Sequence, residues 1–140
     1  MNISCQPSAI SHQLKNYKNM TNQKFRKLEV WSKTMDFVEQ IYLITKQFPK
    51  EELYGLTSQI QRAAVSIALN IAEGSGSGSD QEFKRFLNIS LRSSYEVICG
   101  LEIAKRLKYL DENSFNKLTN QCDELSAMLF GLIKKLKAES

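Results

Sequence analysis

The residue types able to do chemistry concentrate in one stretch. Gln59, Arg62, Ser66, Asn70 and Glu73 step by three and four, so on a helix they share one side. Ser93 and Glu96 offer matching polar groups further along. This set has one carboxylate per helix, no histidine and no nucleophile–base pair, which disfavours catalysis. Two uses suit it better. One is an internal polar seam that fixes register, since buried polar groups need partners. The other is a ligand or nucleic-acid surface. As a seam, it places Arg62 about one turn from Glu96 across antiparallel helices and predicts an ion pair there.

Other chemical candidates are weaker. His12, the single histidine, lies near the start of the chain, away from the other candidates, which removes the usual general base and metal ligand. Cys5, Cys99 and Cys122 are widely spaced, with no CxxC or Cys/His cluster. Neither a disulfide framework nor a metal site is indicated, and no cofactor is implied. Cys99 and Cys122 fall in helical patterns and are expected in the core. Gly74 to Gly78, with Lys84 and Arg85 nearby, lacks the preceding strand and Gly-Lys-Ser/Thr ending of a P-loop and reads first as a plain flexible link. A glycine-nest anion site is the alternative. Lys105, Arg106 and Lys108, then Lys134, Lys135 and Lys137, close two helical segments. They suit the negative ends of helix dipoles; repeated around a symmetric ring, they would also form a basic rim for nucleic acid.

Four helical segments must position these groups. The first spans about Val30 to Phe48, with Trp31, Met35, Val38 and Tyr42 at apolar spacing and Phe37, Ile41, Ile44 and Phe48 beside them. Pro49 stops it. The second, about Tyr54 to Glu73, is apolar nearly all round, which predicts burial on nearly every side, one side by another subunit. Ser79 reads as the N-cap of the third, with Glu82 completing a capping box. Its stripe is Phe83, Leu87, Ser90, Ser94, Val97, Leu101 and Ala104, to about Leu107. Asp111 caps the fourth, a seam of Phe115, Leu118, Cys122, Leu125, Leu129, Leu132 and Leu136. Gly131 is a candidate for a close helix crossing, and Trp31 and Tyr109 for aromatic packing. Short links predict an all-α, antiparallel up-down-up-down four-helix bundle.

Composition agrees. Hydrophobic residues make up 42% of the 140, enough for one core, and few Gly and Pro argue against an all-β fold. Residues 1–24 carry Lys15, Lys18 and Lys24 and no acid, whereas residues 25–140 carry 16 basic and 15 acidic groups. The net charge of +4 therefore belongs mostly to the start of the chain. Residues 1–24 are expected to be a disordered basic tail before a helical domain over 25–140, with Met20 an alternative start to Met1. No apolar run reaches membrane-spanning length and the start lacks a signal-peptide centre, so the expected setting is cytoplasmic, without a membrane partner.

Specific motifs carry a resemblance. Phe25-Arg26-Lys27-Leu28-Glu29-Val30-Trp31 is followed by Phe48-Pro49-Lys50-Glu51-Glu52-Leu53-Tyr54-Gly55-Leu56-Thr57-Ser58-Gln59-Ile60. Then come Arg62-Ala63-Ala64-Val65-Ser66-Ile67 and Asn70-Ile71-Ala72-Glu73-Gly74, with Phe86-Leu87, Ser93 and Tyr95-Glu96 matching a weaker pattern. Over about residues 25–136 the chain resembles the four helix bundle proteins encoded in intervening sequences of 23S ribosomal RNA genes. Ala68 stands where that family has proline, predicting a straighter second helix. Arg92 stands where it often has glycine, and would crowd a helix contact or reach outward. The resemblance implies a closed homo-oligomer, a pentamer, with no established enzymatic activity. A related branch serves diversity-generating retroelements, binding a reverse transcriptase and nucleic acid, which extends a scaffold or RNA-handling role to this chain by analogy only.

Overall fold

The computed structural model describes residues 7–21 and 24–136, and the side chains of residues 8–15 and 24–136. All regular structure among them is helical. Helix α1 spans Pro7–Thr21, and a 3₁₀ turn follows at Lys24–Lys27. Helix α2 is Glu29–Thr45, a second 3₁₀ turn is Lys50–Glu52, α3 is Leu56–Ser75, α4 is Asp80–Arg106 and α5 is Glu112–Lys135. Helix α1 stands where the sequence suggested a disordered tail. Its side chains at residues 8–15 are exposed.

Helices α2 to α5 enclose one core. Helix α3 packs most extensively on α4, α4 also meets α5, and α2 meets both α3 and α5. The core is made of Phe37 and Ile41 of α2, Ile60, Ala64, Ile67 and Ile71 of α3, Leu87, Val97 and Leu101 of α4, and Leu118, Cys122, Leu125 and Leu129 of α5. The expected stripes of α4 and α5 are buried except at their ends, where Phe83, Leu132 and Leu136 are half-buried. That of α2 is displaced: Val30, Thr34, Phe37, Ile41 and Thr45 are buried, while Met35 and Tyr42 are exposed. Threonine can line this core because its hydroxyl returns to its own helix. Thr34 donates to the Val30 carbonyl at 2.6 Å and Thr45 to that of Ile41 at 2.8 Å.

The ends follow local chemistry. Ser79 accepts from the Glu82 backbone N–H at 3.1 Å, and Asp111 from that of Ser114 at 2.7 Å. That bond holds the Asp111 carboxyl below the usual carboxylate range. The Glu82 carboxylate does not close the expected capping box; it pairs with Arg85, whose Nε donates to it at 3.0 Å. Helix α3 runs unbroken through Ala68. It also continues through Gly74, which is buried, so the link begins only at Gly76. Helix α4 ends with Lys108 in the left-handed region, φ 66°, where the Tyr109 N–H reaches the Ala104 carbonyl at 2.9 Å.

Close crossings occur at other glycines than the one the sequence suggested. A Cβ on Gly100 would lie 2.5 Å from Ile60 Cγ1, and one on Gly74 would lie 2.7 Å from Phe86 Cβ. Both bring α3 and α4 backbones together. Gly131 has nothing within 4 Å and crosses no helix. Cys99 is likewise not a core residue: it is exposed on α4, while Cys122 is buried.

Candidate functional site

Close approach of α3 and α4 leaves room between them only for small polar groups. Ser66 and Ser93 share a hydrogen bond of 2.9 Å. Asn70 Nδ2 donates to the Ser66 carbonyl at 2.9 Å and to Ser66 Oγ at 3.1 Å. Deeper in, Ser90 donates to the Ile67 carbonyl at 2.8 Å. These bonds let two polar faces pack without orphaned groups. The centre of the expected seam, Ser66, Asn70 and Ser93, is therefore assembled as a structural contact.

The ends of the seam are not. Gln59, Arg62, Glu73 and Glu96 are exposed. Arg62 and Glu96 form no ion pair among the described residues, so the expected bridge is corrected. The reason is packing: where Gly100 admits Ile60, apolar atoms take the contact and the long polar side chains are displaced to its outer flank. There Arg62, Ser66, Asn70 and Glu73, with Tyr42, Val65 and Leu69, line an open pocket of about 390 Å³. Tyr42 is 40% and Leu69 59% exposed, so α3 is not enclosed on every side within one chain.

The basic candidates divide. Arg85 pairs with Glu82 and stacks on Phe86, its carbon 4.5 Å from the ring centre. Lys105 lies 3.5 Å from Glu102 and 3.8 Å from Glu112, above the Phe115 ring; Arg106 lies 3.8 Å from Glu102. Lys108 and Lys135 are exposed and Lys84 half-buried, while Lys134 sits 5.4 Å above the Phe130 ring. Arg92 reaches outward into solvent. Lys137 lies outside the described residues. Lys24, expected in the basic tail, instead lines one pocket with Ser75, Gly78, Asp80 and Leu136. It carries Arg26 and Lys27 to the same end of the molecule as the last turn of α5. Asp80 opposes an anion in that pocket.

Two further features escaped the sequence. Tyr109 donates to Glu52 Oε2 at 3.0 Å, while Glu52 Oε1 accepts from the Leu56 N–H at 3.1 Å, tying the start of α3 to the α4–α5 turn. Hydrogen bonding and burial raise the Tyr109 phenol above its usual range. Second, Tyr95, Ile98, Cys99 and Ile103 of α4 form an open groove with Asp123 and Ser126 of α5, about 620 Å³. Among the described residues, no group of three or more His, Cys, Asp or Glu is placed to hold a metal ion, and no helix is long and apolar enough to cross a membrane.

Comparison with known proteins places this architecture. No curated protein matches the chain. Among solved structures, it is similar to a protein with unknown function from the S23 ribosomal protein family of Bacteroides thetaiotaomicron VPI-5482. The TM-score is 0.71 at 28% identity, over 76% of this chain and 96% of the other. The sequence model of the 23S rRNA-intervening sequence proteins matches residues 26–131, from the first 3₁₀ turn nearly to the end of α5. With its motifs, its helices and a solved relative in agreement, the chain belongs to the 23S rRNA-intervening sequence protein family.

Proposed function

We propose that α2 to α5 form an antiparallel up-down-up-down bundle that works in the cytoplasm as a non-enzymatic homo-oligomeric scaffold or binding module. The carrying observation is the outward side of α2 and α3. Tyr42 and Leu69 are exposed beside half-buried Val65, in a pocket edged by Arg62 and Glu73. An apolar centre with a charged margin suits a protein contact, and the family resemblance supports a second copy, in a closed pentameric ring, as the partner. Sedimentation tests this: the chain is expected to migrate as a discrete oligomer at micromolar concentration, and Leu69→Asp is expected to dissociate it. A parent protein near 16.0 kDa refutes the reading.

A second reading, binding of RNA or of a nucleic-acid enzyme through a basic rim, draws on one observation. Lys24, Arg26 and Lys27 share an end of the molecule with Lys134 and Lys135. Phosphate binding there would weaken steeply as salt rises. A gel shift with structured RNA at low and physiological salt decides it. No retardation at micromolar protein removes this reading.

A further inference from the structure

Two unlike apolar surfaces stand open on the bundle. One is the outer side of α3, where Val65 and Leu69 lie between Arg62 and Glu73. The other is the α4–α5 groove, where Tyr95, Cys99 and Ile103 repeat at four-residue steps and are exposed. Each surface is neutral in sum and holds its opposite charges at opposite ends. On α3, Arg62 and Glu73 are exposed and enter no ion pair among the described residues. Arg85, near Glu73, is held by Glu82 at 3.0 Å. In the groove, Asp123 is exposed and likewise enters no ion pair among the described residues. Glu102 and Lys105 answer each other at 3.5 Å, which leaves Arg106, 3.8 Å from the same carboxylate, as the cation of the other end. Arg92 and Glu96, either side of Tyr95, are opposite in sign.

The two charge separations have one length. Ser94 and Ser126 share a hydrogen bond of 2.9 Å, and Cys122 Sγ donates to the Ser94 carbonyl at 3.5 Å. Asp123 therefore lies level with Tyr95 on the neighbouring helix. From that level to Arg106 is eleven residues of α4, about 16 Å at ~1.5 Å per residue. From Arg62 to Glu73 is also eleven residues of α3, the same ~16 Å. The apolar groups fall in step: Leu69 lies about 10 Å beyond Arg62, and Ile103 about 12 Å beyond Tyr95.

We infer that α3 of one copy lies parallel to α4 in the α4–α5 groove of the next copy, with Arg62 at Asp123, Leu69 on Ile103 and Glu73 at Arg106. This rests on the homo-oligomer reading and names the surface that each copy uses. Antiparallel docking would set Arg62 against Arg106 and Glu73 against Asp123, so charge fixes the direction while apolar burial supplies the affinity. Because the two surfaces differ, each copy keeps one of each to offer, and the contact runs head to tail around a ring rather than ending at a two-fold dimer. Cys99 lies under the contact and is reached in copies that have dissociated.

Cross-linking tests the pairing in the full-length protein with Cys5→Ser and Cys99→Ser, since the remaining thiol, Cys122, is buried. Leu69→Cys and Ile103→Cys are introduced singly and together, and a short bismaleimide is added. The double variant is expected to give a ladder of linked chains beyond the dimer, and each single variant none. A link in Leu69→Cys alone means that two α3 sides face each other and overturns the proposal. So does an oligomeric parent whose double variant gives no ladder, which leaves the oligomer reading standing. A parent that sediments as a monomer removes both. Charge exchange tests the direction independently. Asp123→Arg is expected to raise the concentration of half-assembly roughly tenfold, and adding Arg62→Asp to restore it, because like charges are replaced by a reversed pair. A double variant that assembles no better than Asp123→Arg overturns the register. Maleimide labelling of Cys99 in the parent should speed up several-fold on dilution; a rate independent of concentration counts against the contact.

Discussion

Replacing Gly100 by alanine isolates the α3–α4 contact on which the candidate site depends. The new Cβ would lie 2.5 Å from Ile60 Cγ1 and 3.1 Å from its Cδ1. Ordinary carbon contacts begin near 3.5 Å, so Ile60, only 2% exposed, must retreat by about 1 Å into filled space. Overpacking of that kind costs roughly 1–3 kcal/mol. Alanine also returns about 1 kcal/mol of helix propensity. Gly131→Ala supplies the control, since it gains the same propensity with nothing within 4 Å to meet. Urea unfolding followed by far-UV circular dichroism, at fixed protein concentration, is expected to place the two variants about 1–3 kcal/mol apart. Gly100→Ala should be the weaker protein. In an Ile60→Ala background, which itself costs about 2–5 kcal/mol, the Gly100→Ala penalty should largely vanish. If Gly100→Ala stabilises as much as Gly131→Ala, the close crossing is wrong, and with it the account of why Ser66 and Ser93 meet while Arg62 and Glu96 do not.

Other perturbations have clear directions. Lys108→Gly should stabilise by about 1 kcal/mol in the same unfolding assay, because a left-handed residue with a Cβ is strained and glycine is not. Burial pushes the Cys122 thiol up to about 12, with Asp123 adding to the shift. Ellman's reagent at pH 8 should therefore modify Cys99 in the folded protein and reach Cys122 only on denaturation. Asp111→Ala should destabilise at neutral pH. The folded carboxyl titrates below its unfolded value, so its contribution is present above the unfolded value and disappears as pH falls through the folded one. Melting curves of parent and variant should accordingly converge in acid; a constant gap would refute the cap.

Much of the fold was legible in the chain because local rules are short-ranged. The stripes of α4 and α5, the caps at Ser79 and Asp111, and aromatic packing follow from 3.6-residue periodicity and from unsatisfied backbone groups at helix starts. Phe25 and Trp31 meet edge to face at 5.0 Å, and Phe48 lies 5.7 Å from Tyr109. The motifs that carry the family resemblance lie in the same stretch that the family's sequence model matches. Three errors share one cause. The displaced stripe of α2, the exposure of Cys99 and the absent Arg62–Glu96 bridge all depend on how each helix is rotated about its axis. Periodicity shows that residues share a side, not which of two adjoining sides turns inward.

Only the tertiary arrangement settles that rotation. Ile60 entering the space at Gly100 sets α3 against α4, and everything on the outer flank follows from it. Spacing alone could group Gln59, Arg62, Ser66, Asn70 and Glu73 on one side of a helix. That Ser66 and Asn70 face a neighbour while Arg62 and Glu73 face solvent is decided by where a second backbone lies within van der Waals reach. A linear sequence encodes that distance only through the combined fit of all four helices.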